Sequence, residues 1–206
     1  MPRNTRAETS GTEASRTAET RTAKTRTAKT RTAKTPGTSR ALPLAATVLT
    51  GTVALYMALV AFGNITDFDT NRQFVRHVLA MDTTFQDRQL MWRAITSGSV
   101  QDAAYLAIIA WETVAAAVLV LATALGVAGL RRGDFAGARR MATAGLLMVL
   151  VLFGAGFIAV GGEWFAMWQS KAWNGLEAAT RNFLVAGMVL VIVHLPGAAG
   201  RRGDER

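Results

Sequence analysis

The chain has 206 residues, half of them apolar, with 23 Lys/Arg against 14 Asp/Glu, a net charge of +9 and no cysteine. That length suits one domain, and the apolar share is high for a soluble chain once a polar N-terminal tail is set aside. The missing cysteines exclude disulfides, iron–sulfur clusters, thiolate zinc sites and cysteine nucleophiles.

The apolar residues gather in four blocks, 41–63, 103–130, 141–162 and about 178–195. A bilayer core takes about 20 residues of helix to cross. The predicted fold is therefore an all-α, four-helix transmembrane bundle.

Ahead of the first block, residues 16–35 read RTAET RTAKT RTAKT RTAKT, with no apolar side chain larger than Ala. Such a repeat cannot bury enough surface to offset its ordering entropy, so residues 1–40 are expected to be a disordered basic tail. It is either a polybasic tether to anionic headgroups or a tolerated repeat expansion. The first block lacks a clear small-x-small cleavage site and reads as a retained anchor.

Residues 64–102 are too long for a simple connection and predict structure of their own. Asp69 or Asn71 could cap a helix in which Phe74, Val75, Val78 and Leu79 share a face opposite Arg72, Gln73 and Arg76. This is the pattern of an amphipathic helix lying in the membrane interface. A second short helix is expected over 87–96, with Leu90, Met91 and Ile95 on its apolar side, ended by Ser97-Gly98-Ser99. His77 has Asp67, Asp69 and Asp82 nearby, which allows a divalent metal site, but the spacing fits no zinc or calcium pattern. The aspartates serve equally well as caps and turn formers.

Glu112 is the ionisable side chain inside the second block, about 10 Å below Tyr105 at 1.5 Å per residue. A carboxylate there is either a proton or cation site or one half of a structural pair. Pairing with Arg181 is the preferred expectation, because buried groups are usually found satisfied.

Four arginines then fill the loop 131–140. Together with the tail and Arg201, Arg202 and Arg206 they place 17 basic residues on one side of a four-span chain, against six in the other loops. The positive-inside bias puts both termini in the cytoplasm of a plasma (inner) membrane protein.

In the third block, Gly154, Gly156, Gly161 and Gly162 are expected to serve close helix packing. The loop after it holds Trp164, Phe165, Trp168 and Trp173; with Trp92, Tyr105 and Trp111 these put every Trp on or near the outer side. They are either interfacial anchors or an aromatic box with Glu163 as floor and Asn174 at its edge, able to hold a quaternary amine. The fourth block is strictly apolar only over 183–195, so it spans if Arg181 snorkels to the headgroups. His194 sits at its inner end as a capping residue.

The segments Asn64-Ile-Thr-Asp67, Asn71-Arg-Gln-Phe-Val-Arg-His77-Val-Leu-Ala-Met-Asp82-Thr, Trp92-Arg93-Ala-Ile95 and Gly162-Glu163-Trp164-Phe165-Ala-Met-Trp168-Gln-Ser170, with Trp173-Asn174-Gly175 and Arg181, carry a resemblance. Over about residues 41–196 the chain resembles domain-of-unknown-function family 2165, small integral membrane proteins. The resemblance implies four spans with both signature segments outside, and no activity. A departure is Thr180, where the resemblance leads one to expect an aromatic.

No catalytic triad, phosphate loop or cofactor motif appears, so an enzyme is disfavoured and no cofactor or metal is expected. The expected function is a non-catalytic accessory or binding protein using its outer loops. The candidate residues are Asn64, Asp67, Asn71, His77, Asp82, Arg93, Glu163, Trp164, Trp168, Trp173, Asn174 and Arg181. The alternative is a small or proton-coupled carrier using Glu112. Its surroundings would be lipid and a membrane-protein partner or second copy, with no specific nucleic acid.

Overall fold

A computed structural model describes residues 40–197 of the chain. The repeat tail and residues 198–206, with the disorder expected of the former, lie outside the described residues. Within them the secondary structure is helical. Helix α1 covers Ala41–Thr66, α2 Phe68–Ala80, α3 Gly98–Arg132, α4 Ala136–Leu150 and α5 Leu176–His194. A π-helical segment, Val151–Trp164, continues α4, as in the bond from Phe165 N to Val160 O, five residues back.

α1, α3, α4 with its π continuation, and α5 are each long and apolar enough to cross a membrane, and only 28–39% of each apolar window is buried within the protein. The rest, including Leu55, Leu59, Phe62, Leu106, Val114, Met188 and Val191, points outward. An apolar belt of that extent is stable only against lipid. α3 is longer than a bilayer core requires, about 52 Å over its 35 residues.

The four spans alternate in direction and pack in a ring. Gly126 and Gly51 of α3 and α1 face Thr47 and Thr123, Gly145 of α4 faces Leu119, and Gly154 faces Phe183. A Cβ at Gly126, Gly145 or Gly154 would stand 2.7 Å from its neighbour. The glycines thus let these antiparallel helices approach closely, as expected for Gly154; Gly156 instead has open space beside it. Trp111 is not part of the aromatic rim. It lies about 20 Å along α3, where its indole N–H donates to Met148 O at 2.9 Å.

One end of the bundle is closed by a cap. A single residue, Asp67, separates α1 from α2. Val75 and Val78 of α2 are buried, with Phe74 and Leu79 beside them, as the apolar pattern required. Neither Asp69 nor Asn71 caps the helix. Asp67 occupies that position, and its carboxylate accepts from the Thr70 hydroxyl at 2.8 Å rather than from a backbone N–H. The expected helix over 87–96 shrinks to a 3₁₀ turn, Met91–Arg93. The chain is diverted there because Ile95 N donates to Leu79 O at 2.8 Å, which holds it extended against the end of α2. Ser97-Gly98-Ser99 opens α3 rather than closing a helix.

Candidate functional site

The inward stripe of α3 recurs every three or four residues: Tyr105, Ile109, Glu112, Ala115, Ala116, Leu119 and Ala122. Glu112 is on that stripe and is 2% exposed. Asn64, in the last turn of α1, donates from Nδ2 to Glu112 Oε2 at 2.5 Å. The Tyr105 hydroxyl donates to the backbone oxygen of the same asparagine at 2.9 Å. These groups line a chamber of about 230 Å³ to which all four spans contribute, with α2 above it. Asn71 from α2 and Asn182 from α5 also line it, and the remaining wall is apolar. Among the described residues, the side chains of Asn71 and Asn182 have no hydrogen-bond partner, and Glu112 has no partner but Asn64.

The expected pair between Glu112 and Arg181 is not formed. On α5 the buried positions are Ala179, Asn182, Ala186, Val189 and Val193, and a helix that turns Asn182 inward turns Arg181 away. Arg181 is exposed beside Thr52, Tyr56 and Val185, between α5 and α1. The other nearby cations are committed elsewhere. Arg72 and Arg76 of α2 both bond the carboxylate of Asp102 in the second turn of α3, Arg76 through two contacts of 3.0 Å. Bonding to Asp102 raises the pKa of the Arg72 guanidinium above its ordinary value.

Above the chamber the two signature loops interlock. The hydroxyls of Thr83 and Ser170 are 2.8 Å apart, and Phe85 N donates to Gln169 Oε1 at 2.9 Å. His77 bonds Asp82 through Nδ1 at 2.8 Å and stacks on Trp173, ring centres 4.6 Å apart. Asp67 and Asp69 turn to Thr70 and Arg72 instead, so the possible metal set is not assembled, and no group of three or more ligating side chains exists among the described residues.

The tryptophans likewise do not converge into a box. Trp164 meets Trp92, Trp168 meets Phe85, and Trp173 meets His77 and Phe74. The cation over Trp164 is the protein's own Arg93, 4.9 Å from the ring centre. Glu163 is exposed. Asn174 accepts from Leu176 N at 3.1 Å just ahead of α5. His194 ends that helix and bonds Thr143 of α4 at 2.9 Å.

The structure therefore gathers three of the sequence candidates, Asn64, Asn71 and Glu112, into one chamber. Sequence reading missed Tyr105 as a positioning group, Asn182 as a lining residue and Asp102 as the anchor of the cap. Asn182 carried a signal: it is the polar residue on the stripe formed with Ala179, Ala186 and Val189 at helical spacing.

Four apolar spans packed on an apolar core, with a single buried carboxylate among the described residues, define a multi-pass integral membrane protein. Within that class the chain belongs to the family described as predicted small integral membrane protein (DUF2165), which matches residues 42–196. No curated protein and no solved structure matches the chain.

Proposed function

We propose that this is a non-catalytic binding protein of the plasma (inner) membrane, with both termini cytoplasmic and a ligand site in the chamber around Glu112. The orientation rests on the sequence count of 17 basic residues in the two terminal segments and the 131–140 loop against six in the other two loops. The single observation that carries the site is a buried carboxylate with one neutral donor and no cation within ion-pair distance among the described residues. A charge so placed is costly unless the group is protonated or a counter-charge joins it, and the chamber has room for one. The ligand class is a small organic cation, held by Glu112 and oriented by Asn64, Asn71 and Asn182.

The test is thermal unfolding of the purified protein in phosphatidylcholine nanodiscs with methylammonium or tetramethylammonium chloride, against sodium chloride at equal ionic strength. Saturating ligand at 100 times Kd would stabilise the fold by about 2.7 kcal/mol. Wild type should be stabilised and Glu112→Gln should fold but not respond. Equal response in both proteins, or none in either, would remove the reading. Flux of the same cation into proteoliposomes would identify the carrier form of this function.

A second reading is favoured by the exposed aromatic rim of Phe85, Trp92, Trp164 and Trp168 beside Glu163. That rim suits an accessory role in which the cap docks on a membrane-protein partner. A stoichiometric companion that co-purifies with wild type and is lost from Glu163→Ala/Trp168→Ala would support it.

A further inference from the structure

Beside the polar chamber lies a second cavity of about 330 Å³, between α3 and the π segment and under α2. Every residue lining it is apolar. Three of them, Ala107, Gly156 and Val160, are also exposed on the lipid-facing side of the bundle, so this cavity reaches the surface that hydrocarbon covers. The π segment supplies much of that wall with glycine, and a Cβ at Gly156 would find only Leu152 Cδ1 at 3.9 Å and Val151 O at 4.0 Å. The two spaces share Phe74, Val75, Ile108 and Phe157, with the rings of Phe74 and Phe157 6.4 Å apart.

An apolar slot open to lipid therefore adjoins a chamber holding a buried carboxylate. We infer that the ligand is a membrane-borne amphiphilic amine, its ammonium at Glu112 and its hydrocarbon chain in the slot between α3 and the π segment. This rests on the reading of the Glu112 chamber given above and adds the chemical class of what enters it. Charge complementarity fixes the head, because the chamber offers a carboxylate and amide oxygens. The continuous apolar lining fixes the tail, which a soluble cation would leave empty. The route is lateral, from the bilayer, past the Phe74 and Phe157 rings, which must part to admit the chain. No path through water is required, and a ligand arriving from hydrocarbon brings its tail at little desolvation cost.

The experiment uses the full chain in phosphatidylcholine nanodiscs and dodecylamine carrying a photoreactive diazirine on its chain. Labelled peptides should map to the α3 and π-segment walls of the slot, saturate with probe, and be chased by dodecylamine but not by dodecanol. Labelling should fall by roughly thirtyfold or more in Glu112→Gln, the scale for removing one member of a buried charge pair. Gly156→Leu fills the slot without entering the chamber, and Ala107→Leu does so from the opposite wall, in case the first disturbs the π segment. Either should abolish labelling while the thermal response to methylammonium survives.

Labelling spread evenly around the apolar belt, or undiminished in both slot variants, would overturn the amphiphile while a Glu112-dependent methylammonium response left the cation site standing. Loss of that response in wild type would remove both.

Discussion

Asn64 Nδ2 stands 2.5 Å from Glu112 Oε2, joining positions 48 residues apart at the point where α1 ends and α2 begins. The bond both positions the carboxylate and ties two walls of the chamber, α1 and α3, together just below its roof. Asn64→Leu should destabilise the protein by about 1 kcal/mol, the scale of interhelical hydrogen bonds within membranes. Asn64→Asp should cost more, because it sets a second carboxylate against the first. Denaturant unfolding in mixed micelles checks the order.

Asp102 accepts from Arg72 and Arg76 together and so clamps α2 across the start of α3. Asp102→Asn should loosen the cap more than Arg72→Gln or Arg76→Gln, since each arginine change leaves the other pair intact. Hydrogen exchange of the amides of α2 measures it, with α4 expected to stay protected in all three variants.

The Thr83 and Ser170 hydroxyls, 2.8 Å apart, lie on different signature loops. Hydroxyls in direct contact bring the two side chains within reach of a disulfide. The double variant Thr83→Cys/Ser170→Cys should therefore crosslink on mild oxidation, in a chain that has no other thiol to confuse the result. Mass spectrometry after proteolysis reads the linked peptide. Failure to crosslink would mean that the loops do not pack as described.

Gly145 lies against Leu119, whereas Gly63 has nothing within 4 Å of where a Cβ would stand. Gly145→Ala should cost about 1–3 kcal/mol through overpacking between α3 and α4. Gly63→Ala should be neutral or stabilise by about 0.5–1 kcal/mol, through the lower entropy of its unfolded chain. The same unfolding titration compares them.

Composition and periodicity were enough for the four spans, because crossing hydrocarbon demands long uninterrupted apolar helices and leaves few alternatives. They also located α2, whose apolar face alternates with the period of a helix. The short helix over 87–96 failed because its apolar residues pack on α2 and the second loop, a demand that local spacing does not carry.

Glu112 was legible as the unusual residue of its span, since a carboxylate in an apolar run stands out in any sequence. Its partner was not. Arg181 was chosen on charge, but charge says nothing about rotation, and one helical step decided that Asn182 faces inward while Arg181 faces away. The tryptophans likewise read as one cluster because they are close in sequence, yet each packs on a different residue of the first loop.

The sequence by itself determined that this is a four-span membrane protein with a buried carboxylate and two polar, aromatic loops. Those properties follow from the solvent each segment must match. Only the tertiary structure decided that Asn64, Asn71 and Asn182 meet Glu112 in one chamber, that the loops close over it as a cap, and that an apolar slot adjoins it. These depend on helix rotation and on contacts between residues far apart in the chain, which no local pattern encodes.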